Sequence, residues 1–276
     1  MKDLRVEVDG GVACWRIDRP DHNTIGGALL ADLLEAAAEA AADDRVRVVV
    51  TVGGPEAWCV GADLDDLVAH VGVPLDDLLH GSVVGGEKGL PPRTGAARRL
   101  DRLGIGRWVL AFRALEKPLV AAVEGAVAGG GLALLALHDV RIASETARFA
   151  AGFAAVGVGP EMGLSWFLPR LVGPGLAADL LLSGRRLSAA EAGTAGLVQR
   201  VVPPGRAEEE ALAYAGRLAA LAPLAAQATV AAVRQALERT VEQQLELEWR
   251  NQRDCFAAPD LAGRVRSLLA PRRGPS

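Results

Sequence analysis

Three consecutive glycines, Gly129, Gly130 and Gly131, lie between two apolar runs and constrain this chain of 276 residues more than any other feature. The run before them, residues 118–123, is short, rich in valine and ended by Gly125, which reads as a buried strand. The run after them, residues 132–137, is leucine and alanine and reads as a buried helix. A strand that passes through a glycine turn into a helix leaves first-turn N–H groups bare and lets another molecule approach. The helix dipole adds partial positive charge at the same place. Such a turn suits an oxyanion, and it equally suits tight packing of helix on sheet. A nucleotide site fits less well, because the spacing is neither G-x-G-x-x-G nor G-x-x-x-x-G-K-[ST].

A second feature follows within the same stretch, residues 117–173. In Gly157-Val-Gly-Pro-Glu-Met-Gly163, Glu161 stands beside Pro160 at the head of an apolar segment, residues 162–172. Proline there marks a helix start, and an acid in the first turn complements the dipole. One reading is therefore a structural first-turn carboxylate. The other is catalytic: among glycines, Phe153, Met162, Trp166 and Phe167, a carboxylate loses water and its proton affinity rises toward the range of an acid/base catalyst.

Elsewhere the pattern alternates. Residues 4–8 and 12–17 read as a hairpin around Asp9-Gly10-Gly11, residues 24–42 as an amphipathic helix, and residues 46–52 as a strand buried on both faces. Alternation of this kind indicates an α/β core. Residues 58–67 read as a strand end, a glycine turn and a helix start, with a metal site at Asp63, Asp65 and Asp66 as the sharper alternative. Residues 70–103 are irregular and rich in proline and glycine, either a loop bordering the site or an insertion. A helix is expected over 103–116 and another over 176–182. Residues 206–270 read as helical, broken near Pro223 and Pro259, with apolar faces that need a partner. The expected organisation is a core over 1–205 that holds the active site, and a helical oligomerisation or lid region over 206–276.

Half of the residues are hydrophobic, enough for one substantial core with a small accessory part. A formal charge of −4 offers no general basic surface for nucleic acid. Cys14, Cys59 and Cys255 are odd in number and far apart, which points to reduced thiols in a cytoplasmic protein. The N-terminus lacks the apolar centre of a signal peptide. The apolar window 118–137 is interrupted by Glu124 and its glycines, so a strand–turn–helix is expected there and not a membrane span. His138 sits at a helix end, while His22, His70 and His80 lie in turns or loops. None leads as a catalytic candidate.

The segments KPLVAAVEGAVAGGG (117–131), HDVRIAS (138–144) and GVGPEMGLSWFLPRLVG (157–173) resemble the signature of the crotonase superfamily, the enoyl-CoA hydratases and isomerases, and the likeness extends over nearly the whole chain. It implies an α/β fold, a spiral of ββα units with a C-terminal α-helical region. It also implies an acyl-CoA thioester as substrate, no metal or cofactor beyond that coenzyme A, and a homotrimer or dimer of trimers. In the family two backbone N–H groups form an oxyanion hole; here they fall on Ala62, in Gly61-Ala62-Asp63, and on Gly130. The two glutamates of the hydratases fall on Ala133 and Phe153, neither of which transfers a proton. Glu161 falls where several isomerases, and an aroyl-CoA dehalogenase, carry an aspartate. The C-terminal motif is weakened at residues 260–263, where the expected acid is Ala262.

The reading that results is double-bond isomerisation of an enoyl-CoA, with Glu161 as proton shuttle and Phe153 and Trp166 keeping the pocket dry, unless those two are core aromatics. Arg19, Arg272 and Arg273 are candidates for the phosphates of coenzyme A. Three alternatives stay open: another reaction of the superfamily (hydration with a relocated acid, decarboxylation or thioester hydrolysis), a noncatalytic CoA-ester-binding subunit, and a nucleotide-binding α/β protein.

Overall fold

The computed structural model describes residues 1–69, 71, 72 and 106–269. His70, His80, Arg272, Arg273 and nearly all of the irregular stretch 70–103 lie outside them. Twelve strands form among the described residues: β1 (Leu4–Asp9), β2 (Val12–Ile17), β3 (Thr24–Ile25), β4 (Val48–Val52), β5 (Ala57–Cys59), β6 (Gly61–Ala62), β7 (Leu119–Val123), β8 (Ala126–Ala128), β9 (Val140–Ser144), β10 (Arg148–Ala150), β11 (Leu187–Ser188) and β12 (Arg200–Val202). A six-stranded sheet runs β1-β2-β4-β7-β9-β12, and a four-stranded sheet runs β11-β10-β8-β5. Only the outer pairs β1–β2 and β10–β11 are antiparallel. The chain steps from the larger sheet to the smaller one (β4 to β5, β7 to β8, β9 to β10) and returns through helices, which is the ββα spiral.

Every residue of β4 and β7 is buried, as expected for parallel strands covered on both faces. On one face Val49, Ala121 and Ala143 join the main core with Trp15, Trp58, Phe112 and Phe149. On the other, Val48, Val50, Val52, Val120, Ala122 and Ile142 pack against Ala211 and Ala215 of the helix Ala207–Ala219. The helical C-terminal region therefore begins with a helix that closes the second face of the sheet.

Helix boundaries depart from the sequence expectations in several places. The helix expected from residue 24 starts at Gly27, because Thr24–Ile25 pair in parallel with Gly61–Ala62 as a separate two-stranded ribbon. The C-terminal helices break at Pro223, as expected, and again before Thr240, whose side chain caps the helix Val241–Ala257 in a capping box with Gln243. The helix Pro223–Gln235 is tied to the core by Arg234. Its guanidinium grips Asp139 at 2.8 and 2.7 Å and donates to the Leu115 carbonyl at 2.6 Å.

The start of the helix Gly130–Ala136 rests directly on neighbouring backbone. A Cβ added at Gly131 would lie 2.0 Å from the Cys59 carbonyl oxygen, and one at Gly61 would lie 2.7 Å from the Gly130 nitrogen. At the other end of this helix His138 is fully enclosed. One ring nitrogen pairs with the Leu134 carbonyl at 3.0 Å and the other with Thr51 Oγ1 at 2.9 Å, while Trp58 meets the ring edge-on. Burial pushes its pKa down to about 4.

Two outcomes are expected. Gly131→Ala must displace backbone, since the nearest atoms are the Cys59 carbonyl, and should cost about 3 kcal/mol in urea unfolding. The His138 pKa is depressed on folding, so the unfolded chain binds the extra proton. Its contribution is present above the unfolded value near 6.5 and is lost as pH falls toward about 4, a drop of about 3 kcal/mol. Stability curves of the protein and of His138→Gln should converge over that interval. Parallel curves would show that His138 is not the group responsible.

Candidate active site

The glycine turn is built from residues with unusual backbones. Gly129 has φ 51° and ψ −124°, a combination open only to glycine in practice, and its N–H bonds the Ala150 carbonyl at 3.2 Å. The helix begins at the next residue, so the Gly130 N–H has no carbonyl within the helix to bond. Gly61, with φ 84°, lays β6 against this turn. Parallel pairing sets Ala62 opposite Ile25. The structure therefore brings together the strand that carries Ala62 and the backbone at Gly130, 68 residues apart in the chain.

Two side chains close on Gly130. A Cβ added there would lie 3.1 Å from Ile25 Cδ1 and 3.1 Å from Met162 Sδ. Neither residue was singled out from the sequence for this contact. The β-branched pair Thr24-Ile25, set between the Pro20–Asn23 turn and Gly26-Gly27, was the available signal for a short strand. Met162 placed the Glu161 segment beside Gly130 in a way no periodicity announces.

Glu161 precedes its helix; it is not in the first turn. Met162 and Gly163 both have left-handed backbones, with φ 56° and 77°, and the helix runs Leu164–Val172. The Leu164 N–H donates to the Glu161 carbonyl at 3.0 Å, closing a tight reversal. The expectation that Pro160 starts the helix is thus corrected: the left-handed pair turns the chain after Glu161, and Gly163 caps the helix. Glu161 is an exposed residue in the single chain, yet packing around its carboxyl removes enough water to raise the pKa above the ordinary glutamate value. That shift owes nothing to a neighbouring charge.

Phe153 is buried and leads into the short 3₁₀ turn Ala154–Val156, while Ala133 is completely enclosed in the glycine-started helix. Trp166 is half-buried. Phe167 meets it edge-on at 4.7 Å, the Arg170 guanidinium lies 3.8 Å over its ring and the Arg113 guanidinium 4.8 Å away. Arg19 donates to Asp3 at 2.6 Å, and its side chain is only 18% exposed, so its charge is spent on an internal ion pair. Asp63 accepts the N–H of Asp65 at 2.9 Å and starts the short helix Leu64–Ala69. Among the described residues no group of three or more His, Cys, Asp and Glu side chains is arranged to hold a metal ion. Nor is any single helix among them long and apolar enough to cross a membrane.

A glycine turn with a free helix N–H, and a partly dehydrated carboxyl on the segment whose Met162 packs against that turn, suit reactions in which negative charge develops on an oxygen while a proton moves nearby. Comparison with known proteins agrees. The profile of the Enoyl-CoA hydratase/isomerase family matches residues 7–77 and 104–268. A Rhizobium meliloti protein named "Probable enoyl-CoA hydratase" is 35% identical over 271 residues, 98% of this chain and 96% of its own. The 1,2-epoxyphenylacetyl-CoA isomerase of Escherichia coli is 30% identical over 99% of this chain and 97% of its own. The crystal structure of an enoyl-CoA hydratase/isomerase from Cupriavidus metallidurans superposes with a TM-score of 0.83 at 30% identity, covering 98% and 94% of the two chains. The chain belongs to the enoyl-CoA hydratase/isomerase family of the crotonase superfamily.

Proposed function

We propose that the protein is an enoyl-CoA isomerase that moves a double bond along an acyl-CoA thioester, with Glu161 as its single proton shuttle. In this reading Glu161 takes a proton from C2 of a 3-enoyl-CoA, and the electron pair delocalises onto the thioester oxygen, which the N–H groups of Ala62 and Gly130 stabilise. The protonated carboxyl then returns the proton at C4, giving the 2-enoyl-CoA. The observation that carries the reading is the contrast between acids: Glu161 is a carboxyl of raised proton affinity on the turn whose next residue, Met162, packs against Gly130, whereas Ala133 and Phe153 are buried apolar side chains. Water and a second acid are not required. Each oxyanion donor contributes about 3 kcal/mol to the transition state in reactions of this kind.

Hydration is the competing reading, favoured by the name of the Rhizobium relative. The two are separated by assaying matched 3-enoyl- and 2-enoyl-CoA substrates in deuterated water. Double-bond migration is expected, with deuterium entering only to the extent that the protonated Glu161 exchanges with solvent before it returns its proton, and the rate is reduced about 10²- to 10⁴-fold in Glu161→Gln. The rate should rise with pH through the elevated Glu161 pKa, because the ionised carboxylate is the base. Hydration of the 2-enoyl-CoA that survives in Glu161→Gln would sink the isomerase assignment.

The reading includes assembly of a cytoplasmic homotrimer or dimer of trimers. Val241, Leu245, Trp249 and Phe256 lie exposed on the helix Val241–Ala257, Trp249 at 67% and Phe256 at 75%, which supports a protein partner over these side chains. Sedimentation equilibrium should return a multiple of three chains; a monomer at micromolar concentration would overturn this part.

A further inference from the structure

Met162 carries a long apolar side chain on a left-handed backbone. The other non-glycine residues with positive φ among the described ones are His22 and Asn23, types that adopt this conformation more readily. Methionine gains nothing locally from it, so surrounding structure must hold it in place. That structure is visible. Met162 is only 4% exposed, and its Sδ and Cε would lie 3.1 and 3.5 Å from a Cβ added at Gly130, with Ile25 Cδ1 also within 3.1 Å of that point. Ile25 pairs with Ala62, while the reversal that contains Met162 begins at Glu161. The Met162 side chain thus joins the turn bearing the acid to Gly130, where it meets Ile25 of the strand that pairs with Ala62.

We propose that Met162 is a positioning residue, wedged on Gly130 beside Ile25 so that it fixes the separation between the Glu161 carboxyl and the N–H groups of Gly130 and Ala62. This rests on the assignment of Glu161 as proton shuttle and adds what sets its reach. A glutamate side chain has three rotatable bonds, and its backbone must be held firmly for the carboxyl to meet C2 and C4 in turn. A displacement of about 1 Å costs on the order of a hundredfold in rate. Gly163 completes the device: a Cβ there would come 2.8 Å from the Phe167 ring, which keeps the second left-handed position for glycine.

The test compares Met162→Gly, which accepts the left-handed backbone but removes the wedge, with Met162→Leu, which restores apolar bulk. Both are first shown to keep the wild-type circular dichroism spectrum. With a 3-enoyl-CoA, Met162→Gly should lower kcat between about tenfold and a hundredfold, with KM within about threefold of wild type. Met162→Leu should recover most of the loss. The Glu161 carboxyl, followed by carbon-13 NMR and assigned by its absence in Glu161→Gln, should titrate differently in Met162→Gly and normally in Met162→Leu. Wild-type kcat and an unmoved titration in Met162→Gly would overturn the proposal. If the wild-type protein does not move the double bond, the isomerase reading fails and the titration alone decides: a shift reversed by leucine supports positioning by Met162, and no shift overturns it.

Discussion

The contact of backbone on backbone at the head of the helix Gly130–Ala136 is the constraint on which the rest of the structure depends. Cys59 and Gly131 approach so closely that no side chain fits between them, and Gly61 meets the Gly130 nitrogen in the same manner. These contacts dock the ribbon β3–β6 onto the glycine turn, and with it the chain that carries Ala62. Without glycine at these positions the layers would stand farther apart, and the strand carrying Ala62 could not lie against the backbone at Gly130.

Polar groups buried behind this contact hold it in register. His138 is kept neutral between Leu134 and Thr51. Next to it Arg141, also buried, donates to the His138 and Leu197 carbonyls, and burial lowers its pKa to about 10. Asp139 accepts the Leu119 N–H and the Arg234 fork. One short segment after the helix thereby joins the central strands to the C-terminal helices. Groups of this kind are costly to bury and are tolerated because each has its partner.

In the proposed reaction the site relies on dehydration and geometry more than on charge. No cation is among the causes of the Glu161 shift; loss of water alone raises its proton affinity. A carboxyl in this condition takes and returns a proton more evenly than a solvated one. The guanidiniums of Arg113 and Arg170 lie over the Trp166 ring. Trp166 is therefore a platform for cations on one side, a role its aromatic character alone did not specify.

The glycine triplet, the valine-rich strands and the lone acid of the Glu161 segment indicated the α/β class and a candidate acid as local patterns with a direct physical meaning, while the family was legible only as a resemblance of whole motifs. Turn glycines, continuous apolar runs and a lone carboxylate among aromatics can be read residue by residue. The tertiary structure decided what depends on contacts between distant segments. Thr24–Ile25 became a strand since β6 offered it a partner, Glu161 left the first turn of its helix since Met162 is anchored on Gly130, and Arg19 turned inward onto Asp3. Local propensity carries no term for a partner many residues away along the chain, and such partners set the strand, the acid and the ion pair.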